Sequence, residues 1–242
     1  MKKILNAAAL GLLLLAGQTA TAKPVKRKAA AATPAPGLWG NKITLSSDGT
    51  AVLGNPAAAV KVVEFISFTC SHCADFNQEA HSELRGTMVR TGRVSVELRP
   101  FLRNEFDLIA SLMVMCGPKQ KYFGNSDSVL AAQGNWFKEP ADPGYKGRWT
   151  ALESNKPALR KLVARDTGLF KIMQARGYSA AQLDTCLADE AMATRLNAMT
   201  KTASETDKVL GTPSFKINGA LQEVYGWPEL KPLINSALAK RT

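Results

Sequence analysis

The most informative pattern in the chain is an apolar run with one acid inside it, VKVVEFISF at residues 60–68. Successive side chains of a strand point to opposite faces, so Val62, Glu64 and Ile66 share one side and Val63, Phe65 and Ser67 the other. Both sides are largely apolar, which predicts a central strand covered on two faces and a buried Glu64. A helix is expected over 71–90 and a second strand over 94–98, ahead of Pro100.

Strand-like patterning then stops from Asn104 to about Lys208. Asn104 can cap a helix running to Cys116, which ends at Gly117-Pro118, and Ser179 with Gln182 three residues on forms a capping box for another. Further helices are expected over 156–167 and 190–207, while 134–149, rich in Gly, Pro and aromatic residues, reads as an ordered loop. Strand signals resume over 214–217, turn at Asn218-Gly219 and continue over 221–225. A last helix is expected over 228–239. The order β-α-β, helical block, β-β-α predicts an α/β fold in which residues 41–103 and 208–242 form one domain and 104–207 an inserted α-helical domain. No repeat is visible.

The N-terminal residues change the picture by setting a compartment. Met1-Lys2-Lys3, an apolar run over 4–16 and Ala20-Thr21-Ala22 read as a secretory signal over 1–22. The run is short of the roughly 20 residues that a membrane span needs. Residues 23–40 are basic and Ala/Pro-rich, without apolar periodicity, and are expected to be a flexible leader. Removing the two signal lysines leaves 29 basic against 20 acidic residues, a net charge of +9. Such a charge favours solubility and weak steering to acidic surfaces. Without aromatic interleaving or a recognition motif it gives no case for nucleic-acid binding.

Four cysteines are too few for a disulfide-stapled miniature scaffold, but export leaves them free to oxidise. Cys70 and Cys73, in CSHC, fall where the strand gives way to a helix. Unpaired N–H groups and the positive dipole end at a helix start stabilise an anion, so Cys70 is expected to be an acidic nucleophile. Cys73, one turn further in, is placed to resolve a mixed disulfide, and His72 between them can stand beside the thiolate. Lowering a thiol pKa from about 8.5 to about 4 stabilises the reduced state at pH 7 by about 4 kcal/mol, on the order of 90 mV towards oxidising power. The competing reading is a copper or zinc site, which would need His72 or His81 as further ligands; His81 lies two turns along the helix from the pair. A chaperone that only binds unfolded chains is a third reading. Cys116 and Cys186 are either two small buried side chains or a structural disulfide. His81 reads as a surface residue, and Trp39, Trp136, Trp149 and Trp227 as packing.

The segment EFISFTCSHCADF resembles the active-site segment of DsbA-like proteins of the thioredoxin superfamily, and the resemblance extends over most of the chain from about Asn41, including the later GTPSFKING. It implies a thioredoxin-like fold with a central mixed β-sheet, and a protein disulfide oxidase acting on reduced or unfolded exported proteins. By the same resemblance Glu64 moves the proton of the buried cysteine, Pro213 is a cis proline facing the disulfide, and Thr212 and Ser71 meet substrate. Some DsbA-like proteins also carry a second disulfide in the helical domain, which Cys116 and Cys186 resemble. Threonine before the proline is familiar from the isomerase branch, whereas many oxidases have valine. Isomerases of this type carry an N-terminal dimerisation domain for which there is no room before the first strand, so a monomeric oxidase is expected. A periplasmic location and a membrane reoxidant of the DsbB type are implied; no cofactor or metal is. Asn77 stands where many oxidases have an acid.

Overall fold

A computed structural model describes residues 39–240. The expected signal and residues 23–38 of the leader lie outside the described residues. The chain forms a six-stranded sheet in the order β1-β2-β4-β3-β5-β6. Its strands are β1 (Ile43–Leu45), β2 (Ala51–Gly54), β3 (Val60–Ile66), β4 (Val94–Pro100), β5 (Ser214–Ile217) and β6 (Ala220–Gln222). β3 and β4 are parallel and every other pairing is antiparallel, so the sheet is mixed.

Strand β3 is central because its side chains can be buried on both faces: Val60, Val62, Phe65 and Ile66 are all at most 1 % exposed. Glu64 lies between Leu98 of β4 and Phe215 of β5 and is buried with them. Between β5 and β6, Asn218 and Gly219 both have positive φ, 51° and 88°. That is the backbone a tight two-residue hairpin turn needs and the one Asn-Gly adopts most readily. The second strand of this hairpin is shorter than the sequence suggests, ending at Gln222.

Helix α1 (Ser71–Ala80) begins directly at the cysteine motif. The expected regular helix to Arg90 is not found: His81–Met88 is a π-helical segment and Val89–Thr91 a 3-10 turn, closed by Gly92 in the left-handed region at φ 74°. The widened turn carries Arg85, whose buried guanidinium bonds Asn77 Oδ1 and Asp127 Oδ1. Such π segments are rare and concentrate near functional sites.

The helical block comprises α2 (Glu105–Val114), α3 (Tyr122–Ala131), α4 (Gln133–Trp136), α5 (Tyr145–Ala151), α6 (Lys156–Asp166), α7 (Leu169–Ala175), α8 (Ala180–Leu187) and α9 (Glu190–Glu205); α10 (Trp227–Ala239) closes the fold. Asn104 caps α2, and Ser179 with Gln182 completes the capping box of α8. The segment 134–149, expected as a loop, instead holds the end of α4 and the start of α5. Its aromatic residues pack in edge-on contacts, Phe106 with Phe137 and Trp149, and Tyr145 with Trp149. Cys116, just beyond α2, is joined to Cys186 of α8 by a disulfide. Among the described residues no helix is long and apolar enough to cross a membrane.

Candidate active site

Three segments meet at the cysteine motif. The first is the turn from β3 into α1, Ser67-Phe68-Thr69, which delivers Cys70 to the helix N-cap. The second is the loop before β5, where the Thr212-Pro213 peptide is cis. The third is the helical block, which contributes the start of α2 and Gln133. The side chain of Gln133 donates from Nε2 to the carbonyls of Phe68 (2.8 Å) and Cys70 (2.9 Å), tying α4 to the motif.

Cys70 and Cys73 are both unbonded thiols and both buried. Their acidities are driven apart. Cys70 falls to about 4, chiefly through a hydrogen bond from the Cys73 side chain, with the Thr212 side chain, the Cys73 backbone N–H and the charge of Arg103 acting in the same direction against the cost of burial. Cys73 is pushed up, first by burial and then by its bond and proximity to Cys70, with Glu64 adding to the rise; the backbone N–H of Ser67 opposes it. At neutral pH the pair therefore holds one thiolate and one thiol.

In the thiol form Cys70 Sγ donates to the carbonyl oxygen of Thr212 at 3.1 Å. Once Cys70 is ionised that bond has no proton, and the thiolate needs donors. The Thr212 hydroxyl is buried without a hydrogen-bond partner, and its side chain lowers the pKa of the sulfur, so an ionised Cys70 is the acceptor it can turn to. Burying a hydroxyl without an acceptor costs about 1–3 kcal/mol, so the arrangement favours the charged sulfur.

Glu64 is pushed up to about 7 by burial, which outweighs the lowering influence of Arg85, while Asp127 adds to the rise. A carboxyl that titrates near neutrality can both give and take a proton at working pH. Asp107 of α2 is fully buried beneath the motif and was not singled out from the sequence. It follows Asn104 by three residues, so in sequence it reads as a helix-start acid and nothing more.

The expected residues do not all converge. Cys70, Cys73, Thr212 and the cis Pro213 meet, and Glu64 lies close enough to influence Cys73. His72 and Ser71 are exposed, and the bonds to the Cys70 sulfur come from Cys73 and Thr212 rather than from His72. His81 is half-exposed and lies 3.5 Å from Asp127. Among the described residues no three His, Cys, Asp or Glu side chains are gathered to hold a metal.

A buried thiol one helical turn behind an acidic one, with a cis proline opposite and an acid in the adjoining strand, on a mixed sheet with an inserted helical block, defines a DsbA-like member of the thioredoxin superfamily. Comparison of sequences agrees: the chain belongs to the thioredoxin family, whose profile matches residues 46–236. A crystal structure of a protein-disulfide isomerase from Novosphingobium aromaticivorans is 34% identical, with a TM-score of 0.71 over 77% of this chain and 96% of that one. A Rickettsia prowazekii protein, provisionally assigned as a protein-disulfide oxidoreductase, is 27% identical over 209 residues, 86% of this chain and 68% of its own. The fold is also that of Wolbachia pipientis alpha-DsbA1, at 19% identity and a TM-score of 0.64 over 81% of this chain and 94% of that one.

Proposed function

We propose that this thiol:disulfide oxidoreductase is exported to the periplasm, where its Cys70–Cys73 disulfide is donated to folding proteins. The observation that carries this is the opposed acidity of the two thiols: Cys70 held down to about 4 and Cys73 pushed up. An acidic Cys70 is a good leaving group and a stabilised product, so reduction of the pair is favoured and the disulfide is a strong oxidant.

A substrate thiolate attacks the Cys70 sulfur of the disulfide; the S–S bond breaks and Cys73 leaves with the electron pair. Cys73, stable only as a thiol in its buried place, takes a proton, and Glu64 supplies it. A second substrate thiolate then attacks the substrate sulfur of the mixed disulfide. This forms the substrate's disulfide and releases Cys70 as the thiolate. Two electrons have passed to the protein, and a membrane reoxidant of the DsbB type returns them to the quinone pool. In this scheme Thr212 and Pro213 hold the substrate strand beside the sulfur, with Ser71 at the rim. Leu210, 94 % exposed just before that loop, offers apolar contact to an unfolded chain. The enzyme acts as a monomer and needs no cofactor. His72, on the exposed side, stabilises the Cys70 thiolate as it leaves.

A second reading, disulfide isomerase or reductase, is favoured by Thr212 before the cis proline and by the name of the Novosphingobium relative. The reduction potential against a glutathione buffer separates the two. A value near −120 mV, about that of DsbA, supports the oxidase; about −200 mV or lower overturns it in favour of isomerase or reductase work.

A further inference from the structure

The carboxylate of Asp107 collects four donors, three of them from the short stretch Ser67–Thr69. Ser67 Oγ lies 2.9 Å from both of its oxygens. Thr69 gives its backbone N–H at 2.9 Å and its hydroxyl at 3.1 Å. The backbone N–H of Arg103 adds a fourth donor at 2.9 Å. Asn104, whose Oδ1 caps the Asp107 N–H, sends its Nδ2 to the Thr69 hydroxyl at 3.0 Å. A carboxylate offers about four lone-pair sites, and here four donors occupy them.

These bonds fix the peptide units that lead directly into the cysteines. Thr69 immediately precedes Cys70, and the Cys70 N–H closes the turn on the Ser67 carbonyl at 3.3 Å. The backbone N–H of Ser67 faces the Cys73 sulfur. Arg103, anchored by the same carboxylate, is the residue whose positive charge reaches Cys70. One side chain on the helical block thus holds the entry turn, the resolving sulfur's donor and the backbone of a cation near the nucleophile.

We propose that Asp107 is a positioning residue for the redox pair: through Ser67, Thr69 and Arg103 it holds the turn in which Cys70 can receive its hydrogen bonds from Cys73 and Thr212. This rests on the redox role assigned above to Cys70. The negative charge of Asp107 by itself opposes a nearby thiolate, whereas the geometry it imposes favours one. The two contributions have opposite sign, which makes the role measurable.

The test is the Cys70 thiolate pKa, followed by ultraviolet absorption, together with the glutathione equilibrium, in the reduced full-length mature protein. Asp107→Asn keeps the size but can accept at only one oxygen, stranding donors on the other side. It is expected to raise the Cys70 pKa by about one unit and to shift the glutathione equilibrium about tenfold towards the disulfide, equivalent to about 30 mV. Thr69→Val, a milder change that leaves the carboxylate and three of its donors in place while removing the Thr69 hydroxyl and its bond from Asn104, serves if Asp107→Asn does not fold and is expected to move both in the same direction by less. The double variant should fall short of the sum, because the two residues share one network. A Cys70 pKa that stays put while stability alone drops would overturn the proposal and leave Asp107 merely structural. A pKa that falls would overturn it too, showing that only bare charge was removed. If wild-type Cys70 titrates at an ordinary thiol value, both this proposal and the redox role fail; if it titrates near 4 and the variants leave it there, only this one does.

Discussion

The sulfur of Cys70 and the backbone carbonyl of Thr212 lie 3.1 Å apart although 142 residues separate them in sequence. The contact brings the first sulfur of the CSHC motif against the residue before the cis proline, and it makes the Thr212 side chain part of that sulfur's electrostatic setting.

Thr212→Val keeps the shape of the loop but removes the hydroxyl. The Cys70 thiolate then loses one of its donors, while the dominant bond from Cys73 remains. A rise of about one pKa unit is expected, with a potential about 30 mV less oxidising. Thiolate absorbance and glutathione titration measure the two independently. An unchanged pKa would show that the hydroxyl is not a donor to the sulfur.

The acidity of Cys70 also makes stability depend on pH in a signed way. A group whose folded pKa is lowered contributes stability that is fully present above its unfolded value, near 9, and is lost as pH falls through its folded value, about 4. Cys73 is protonated in both states up to about pH 8 and adds no slope there. The reduced protein should therefore be more stable than the oxidised one at pH 7, with the gap closing towards pH 4. Denaturant midpoints of both forms, taken at several pH values, check this; a gap independent of pH would contradict the thiolate.

Glu64 has the opposite sign. Its folded pKa of about 7 lies above the unfolded 4.5, so its burial costs nothing below pH 4.5 and an increasing amount as pH rises towards 7. Glu64→Gln should stabilise the oxidised protein by up to roughly 3 kcal/mol above pH 7 and leave it nearly unchanged at pH 4. The same substitution should slow thiol exchange by about a hundredfold and remove the inflection near pH 7 from its rate profile. Stopped-flow reaction with a reduced peptide gives the profile; a surviving inflection would assign the proton to another group.

The Cys116–Cys186 bridge closes a loop of 70 residues. Replacing both cysteines by alanine should lower stability by about 4 kcal/mol in the chain-entropy estimate. Urea unfolding of the oxidised protein provides the comparison. No loss would show that the bridge does not constrain the unfolded chain.

What could be read from the sequence was whatever a local rule encodes. Strand β3 announced itself by β-branched residues on both faces, α8 by Ser179 and Gln182, and the β5–β6 turn by Asn218-Gly219. Strands β1 and β2 were missed because they have only three and four residues and sit among Ser, Asp and Gly. Helix α3, YFGNSDSVLA, was missed because its polar residues Asn125 and Ser126 are buried, which inverts the usual pattern. Asn125 is satisfied in the interior by the Val114 carbonyl and the hydroxyl of Tyr178. The cysteine motif was legible because its chemistry lies within four residues. The contributions of Gln133 and Asp107 were not, since each acts across the fold from a helix that gives no sign of its destination.

The position of β3 in the sheet also bears on when the site comes into being. β3 can pair with β4 soon after both have been made, but its other neighbour, β5, lies roughly 150 residues downstream, beyond the whole helical block, so that closure is entropically late. Thr212 and the cis proline arrive with β5. During folding the two thiols are therefore without their covering loop until this long-range pairing forms, so the site is assembled only once the sheet around it is nearly complete.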